Sequence, residues 1–136
     1  PKSGAILITV ADQDKDEVVP IAEGFEDLGY ELVATAGTAK FLEEKGIHVG
    51  RVEKASAGTP NLLDDIKEGR ICMVINTLTH GSDATRDGFK IRRSTVEHAI
   101  PCLTSLDTAR ALYKAMGAMR RRHVVSVVAL QDLKTE

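Results

Sequence analysis

Two runs of strand length, Ala5–Val10 (AILITV) and Ile71–Asn76 (ICMVIN, apolar through Ile75), constrain this chain more than any other feature. A strand with one wet face alternates apolar and polar side chains. A strand that does not alternate has both faces covered, as in a parallel sheet with helices on either side. Between the runs lies a segment of helical spacing, where Val18, Ile21, Ala22, Phe25 and Leu28 recur and Gly29 closes the pattern. Asp14 and Glu17 stand three apart, the spacing of an N-terminal capping box. Pro20 cannot donate to the Asp16 carbonyl, so this helix is expected either to start late or to bend there.

The alternation continues along the chain. Glu31–Thr35 reads as a second strand, and Ala36-Gly37-Thr38 turns into a helix that starts at Thr38, runs through Lys45 and stops at Gly46. Val49–Glu53 is a short third strand. Thr59-Pro60 is a helix start, a hydroxyl cap followed by proline in the first position, and Gly69 ends that helix. After Ile71–Asn76, the polar stretch Thr79–Gly88 reads as a loop and Gly88–His98 as a helix. Ile100–Leu103 reads as a strand, Leu106–Met119 as a helix and Val124–Leu130 as a final strand, while Gln131–Glu136 frays. Strands alternating with helices make an α/β, doubly wound parallel sheet with right-handed crossovers. A chain of 136 residues holds one such domain, here 5–130, with 1–4 as a linker remnant and 131–136 as a tail.

Composition serves mainly to exclude. A net charge of −2 gives no overall attraction for nucleic acid or a membrane surface, so any anion site has to be local. No apolar stretch approaches the ~20 residues that span a bilayer. Cys72 and Cys102 sit inside apolar runs with no CxxC, which reads as buried thiols of a reduced, cytoplasmic protein. His48, His80, His98 and His123 are scattered. There is no GxSxG, no GxxxxGK[ST] and no metal-type spacing, so neither a catalytic residue nor a metal ligand is expected.

Ligands of a doubly wound sheet bind outside the carboxyl ends of its strands, which makes those positions the place to look. They carry Asp12, Gln13, Asp14 and Lys15 after the first strand, and Thr35, Gly37 and Thr38 after the second. Lys54 and Ser56 follow the third, Asn76, Thr77 and Thr79 follow Ile71–Ile75, and Thr104-Ser105 follow the next. Ammonium groups, a glycine turn at a helix N-terminus, hydroxyls and a carboxamide together suit a phosphate ester. Singly, each has an ordinary explanation: Thr38 as a cap, Lys15 as a solvated lysine, Asn76 as a strand-end turn. Arg120-Arg121-Arg122 is a helix-end charge run, and Arg92-Arg93 fits an inter-domain salt bridge as well as a ligand.

The segments ITVADQDK, LVATAGTAKFLEEKGI, VEKASAGTPNLLDDIKEGRI, MVINTLTHG and DGFKIRRSTVEHAIPCLTSLDTARA, in that order, resemble the C-terminal regulatory domain of the carbamoyl-phosphate synthetase large subunit. The resemblance covers about residues 5–130. It implies the methylglyoxal-synthase-like fold, a five-stranded parallel sheet flanked by helices, and allosteric control by a nucleotide: UMP as inhibitor, IMP or phosphoribosyl pyrophosphate as activator. Lys15, Thr35, Thr38 and Lys54 fall on the family's phosphate and ribose contacts, with Gly37 between them, and Asn76 and Thr77 fall on a further effector motif. Thr9 matches a hydroxyl near the pocket, and Thr104 one that meets ornithine in some members. Where some members read Asn-Thr-Thr, this chain reads Asn76-Thr77-Leu78-Thr79, so Thr77 and Thr79 both stand as candidates.

The resemblance further implies no cofactor in this domain, and ATP, Mg and K in the full-length ligase. The implied partners are the synthetase domains of the same chain, a small glutaminase subunit and further copies of itself. Relatives of the same fold define the alternatives. Methylglyoxal synthases carry a catalytic Asp in Gly-Gly-Asp, where this chain reads Ala57-Gly58-Thr59, and a threonine cannot abstract a carbon-bound proton. The IMP cyclohydrolase domain shares GTAK, here Gly37–Lys40, but continues with a Lys-Thr-Leu-His-Pro type motif absent here. The N-acetylglutamate-dependent synthetases use a Trp, and this chain has none. A small stand-alone enzyme and an oligomerisation domain remain as competing readings.

Overall fold

The computed structural model describes residues 4–53, 61–77 and 82–135, with backbone alone for 82–87 and 122–135. Its elements are β1 (Ala5–Thr9), α1 (Lys15–Asp27), β2 (Glu31–Ala34), α2 (Ala36–Glu44), β3 (Gly50–Arg51), α3 (Leu62–Lys67), β4 (Ile71–Asn76), α4 (Ser82–Glu97), β5 (Cys102–Leu103) and α5 (Leu106–Thr135). The strands form one five-stranded sheet in the order β3-β2-β1-β4-β5, and every pair is parallel. The doubly wound sheet expected from the two apolar runs is the one observed.

Those runs lack alternation because both faces of the central strands are covered. Ile6 and Ile8 of β1 pack with Val18, Ile21 and Phe25 of α1, Leu42 of α2, and Leu106 and Ala109 of α5. Ala5 and Leu7 point the other way, onto Leu62 and Ile66 of α3 and Ile91 of α4. Ile6, Leu7 and Ile8 are each 0% exposed. Burial of side chains this size contributes roughly 1.5–3 kcal/mol each. Cys72 and Cys102 flank these clusters half-buried rather than buried, and the burial they do have pushes both thiols up.

Several helix ends differ from the sequence reading, each for a local reason. α1 begins at Lys15 with Pro20 inside it, so it does not start late. The Asp14 capping box does not form: a 3₁₀ turn over Asp12–Asp14 leads directly into the helix and leaves Asp14 at φ −100°, ψ −2°. A capping side chain reaches back over the first turn only from extended backbone. α2 starts at Ala36, two positions before Thr38, so Thr35 and not Thr38 occupies the cap position. α3 starts at Leu62, where Asn61 Oδ1 accepts from the Leu63 amide at 2.8 Å and Asp64 Oδ2 accepts from the Asn61 amide at 2.8 Å. Thr59-Pro60 lies outside the described residues.

α4 begins at Ser82, so much of the stretch read as the Thr79–Gly88 loop is helical; it contains no proline to stop a helix, and Gly88 is tolerated within it. The expected final strand at Val124–Leu130 is absent, because α5 runs without a break from Leu106 to Thr135. Nothing between Met119 and Thr135 punctuates it: there is no Gly and no Pro. A valine-rich run reads as strand by composition, and here the preceding helix carries through it.

α1 and α5 meet at a glycine. A Cβ built on Gly24 would lie 2.6 Å from Cδ2 of Tyr113, and the Tyr113 ring packs edge-on against Phe25 with centroids 5.9 Å apart. Intrinsic helix propensity favours Ala over Gly by about 1 kcal/mol, while overpacking costs about 1–3 kcal/mol. Gly24→Ala is therefore expected to lower the melting temperature in the native background. In a Tyr113→Ala background the same change is expected to raise it. Thermal unfolding of the four proteins reads that reversal of sign directly.

Candidate anion site at the carboxyl edge

The strand order places a topological switch point between β1 and β4. The chain leaves β1 toward β2 and β3 on one side, then crosses back through α3 to β4 and β5 on the other. In doubly wound sheets ligands bind at the carboxyl ends of the strands at such a point. Thr9 and Asn76, the last residues of the two strands, are register partners there.

Side-chain bonds knit that point together. The Asn76 carboxamide, 3% exposed, donates from Nδ2 to Thr9 Oγ1 at 2.7 Å. Arg92 of α4 donates from Nη1 to Asn76 Oδ1 at 3.1 Å. Gly88, one helical turn earlier, leaves the room: a Cβ there would lie 3.1 Å from Arg92 Nη1. Thr77 Oγ1 accepts from the Ala11 amide at 2.8 Å, and the Thr77 amide donates to the Thr9 carbonyl at 3.1 Å. The loop after β1 is thus tied to the end of β4 and held where Lys15 can reach α2.

The positive side of this edge is built from Lys15 and α2. Thr35 takes the cap position in extended backbone without a side-chain cap bond. The first bond to that cap is donated by the Ala39 amide to the Thr35 carbonyl at 2.8 Å, which leaves the amides of Ala36, Gly37 and Thr38 with no acceptor inside the helix. Lys15 Nζ lies 3.8 Å from the point where a Cβ on Gly37 would stand, so the ammonium covers the open turn. Lys15 also pairs with Asp12 Oδ1 at 2.8 Å. The hydrogen bond from Lys15, reinforced by its charge, holds the Asp12 carboxyl below its usual value. Free helix amides with an adjacent ammonium suit a phosphate or carboxylate.

The structure brings Lys15, Thr35, Gly37 and Thr38 together, and at the neighbouring switch point Thr9, Asn76 and Thr77. Thr38 is 4% exposed and belongs to the inner side of α2's first turn, so its expected role as cap passes to Thr35. Thr104 stands apart from Lys15 and Gly37. It lines a cavity of about 220 Å³ with Thr77, Ser105, Asp14, Glu17 and Asp107, which takes in Thr77 of the switch-point group and none of Lys15, Thr35, Gly37 and Thr38. Lys54 and Thr79 lie outside the described residues.

Sequence reasoning left two partners unassigned. Arg92 was readable as the residue one turn after Gly88 on a helix whose inner stripe includes Ile91 and Thr95, yet only the fold shows that it meets Asn76. The Asp12–Lys15 pair was readable as an i,i+3 spacing. A wider open groove of about 770 Å³ lies at the β2–β3 edge, lined by Tyr30, Leu32, Ile47 and Val49 with Glu26 and Glu43. Its carboxylates make it unsuited to an anion. Among the described residues no group of His, Cys, Asp or Glu is arranged to hold a metal, and no helix is long and apolar enough to cross a membrane.

The family model described as the MGS-like domain matches residues 17–104. The chain belongs to the MGS-like domain family. The matched stretch takes in α2, β4 and Asn76 but begins after β1 and Lys15. A methylglyoxal synthase from Elizabethkingia anophelis NUHP1 superposes with a TM-score of 0.66 at 25% identity, over 83% of this chain and 78% of that one. A structure titled ForH superposes with a TM-score of 0.56 at 21% identity, over 82% and 76% of the two chains. The first likeness reinforces the MGS-like assignment, and the second shows the fold alone.

In this MGS-like domain, Asp12 competes with any incoming anion for Lys15. Replacing Asp12 with Asn removes the competing charge and leaves the lysine in place. Asp12→Asn is expected to tighten binding of inorganic phosphate by roughly two- to fivefold, the modest scale of an exposed ion pair. A phosphate titration of both proteins at low salt measures this. Weaker binding by Asp12→Asn would mean that Asp12 helps to build the site.

Proposed function

We propose that this domain is the allosteric regulatory domain of a carbamoyl-phosphate synthetase large subunit and that it binds a phosphorylated nucleotide effector of the UMP, IMP or phosphoribosyl pyrophosphate type. In this reading Lys15 and the open turn at Gly37 take the phosphate, and Asn76, Thr77 and Thr9 meet the sugar or base. Lys54 adds a second ammonium. The domain does no chemistry; ATP, Mg and K serve the synthetase domains, whose carbamoyl phosphate feeds pyrimidine and arginine synthesis in the cytoplasm. Its other partners are those synthetase domains, the glutaminase subunit and further copies of the chain.

One observation carries the reading: Lys15 Nζ sits over Gly37 at the uncapped first turn of α2, next to the Thr9–Asn76 switch point. A cation, free amides and hydroxyls converge there, as an organic phosphate requires. The second reading, a stand-alone enzyme of the methylglyoxal synthase type, draws on the superposition at TM-score 0.66. Against it, Thr59 stands where that chemistry needs a carboxylate. Asp12, the carboxylate in contact with Lys15, is a weakened base because its proton affinity is lowered.

A thermal-shift panel of UMP, UTP, IMP, phosphoribosyl pyrophosphate and N-acetylglutamate tests the proposal. A ligand present at 100 times its Kd adds about 2.7 kcal/mol, a rise in Tm on the order of 10 °C for a domain this size. At least one nucleotide or phosphoribosyl pyrophosphate is expected to give that rise, and Lys15→Ala is expected to abolish most of it. A panel that leaves Tm unmoved contradicts the proposal. Methylglyoxal formed from dihydroxyacetone phosphate, in step with the purified protein, would establish the enzyme instead.

A further inference from the structure

Arg92 fixes the direction of the bond between Asn76 and Thr9 at the switch point, and that direction decides what a ligand must offer there. A guanidinium only donates, so the Asn76 atom that faces Arg92 Nη1 at 3.1 Å is the carbonyl oxygen Oδ1. The amide nitrogen Nδ2 is then turned to Thr9 Oγ1 at 2.7 Å, and since Nδ2 also only donates, the Thr9 hydroxyl is the acceptor in that bond. The Thr9 proton is thereby directed away from Asn76, and no described residue receives it. Thr77 is in the same state, its Oγ1 already accepting from the Ala11 amide at 2.8 Å. Among the described residues no carboxylate pairs with Arg92, so nothing there diverts it from Asn76.

Without Arg92 the amide has two equivalent orientations. Turned over, Asn76 would present Oδ1 to Thr9 and take its proton, and the Thr9 oxygen would be left to accept rather than donate. The guanidinium removes that choice. The relay runs one way, from a permanent charge through an amide 3% exposed to an O–H donor at the carboxyl edge.

We propose that Arg92 is a positioning residue that sets the ligand chemistry of this edge. By holding Asn76 in one orientation it keeps Thr9 a donor, so the ligand must place an acceptor oxygen against Thr9. That oxygen belongs to the phosphate or to the group esterified to it. The inference rests on the phosphorylated-ligand reading above.

The test uses the intact chain and three probes: inorganic phosphate, ribose 5-phosphate and UMP, titrated by calorimetry into the native protein, Arg92→Lys and Arg92→Met. Arg92→Met is expected to lose about tenfold in affinity for the smallest probe whose oxygen reaches Thr9, and for each larger one. A loss already present with inorganic phosphate assigns the oxygen to the phosphate; a loss that starts with a larger probe assigns it to the sugar or base. Arg92→Lys keeps a donor and is expected to stay within about threefold of the native protein. Thr9→Val leaves Arg92 untouched and is expected to lose the same factor as Arg92→Met, which covers the case of a poorly folded Arg92→Met protein. Native affinities in Arg92→Met or Thr9→Val, or an equal loss in Arg92→Lys, would overturn the proposal. If the native protein binds none of the probes, the proposed function falls. The positioning claim is then decided by the Asn76 side-chain amide resonances of the unliganded protein, which are expected to move in Arg92→Met but not in Arg92→Lys. Unmoved resonances in Arg92→Met overturn it.

Discussion

β1 is hydrogen-bonded on both sides, to β2 and to β4, and covered on both faces by helices. A strand in that position has no contact with solvent except at its ends. Its polar groups are therefore confined to the carboxyl end, where Thr9 meets Asn76 of β4 and the chain turns into α1. The burial of Ile6, Leu7 and Ile8 fixes where that end lies, and the end fixes where Lys15, the open turn of α2 and Arg92 can converge. Stability and the candidate site thus depend on the same strand, one through its side chains and the other through where it stops.

The site pairs permanent charge with polar groups of defined direction. Lys15 is shared between an exposed carboxylate and the α2 turn, so it is available to a ligand at small cost. Asn76 is held by bonds to Thr9 and Arg92 and cannot reorient without breaking them. The first group supplies attraction that salt will screen, and the second supplies geometry that salt will not. A selective anion site needs both, since charge alone does not distinguish one phosphate ester from another.

The sheet was legible because AILITV and ICMVIN admit few alternatives, and Lys15, Thr35, Gly37, Thr38, Asn76 and Thr77 were legible as residues at or just after strand ends. Helix ends were less so. The cap of α2 moved to Thr35 because Ala36 and Gly37 are already helical, and a sequence pattern cannot say which hydroxyl precedes the first turn. The last apolar run was misread as a strand because its valines carry β propensity, whereas no Gly or Pro separates it from the helix before it. Arg92 was out of reach for a different reason: its partner lies sixteen residues away on another element. Composition and spacing locate side chains along one element, not across two.

The central claim is that an anion seats on the first turn of α2 beneath Lys15. A ¹⁵N NMR titration with inorganic phosphate tests it most directly, because the free amides are the proposed contacts. The account predicts that the Gly37 and Thr38 amides move furthest and saturate together, with Lys15 following at the same concentration. Shifts that centre on the Tyr30, Ile47 and Val49 groove while Gly37 and Thr38 stay still would contradict it.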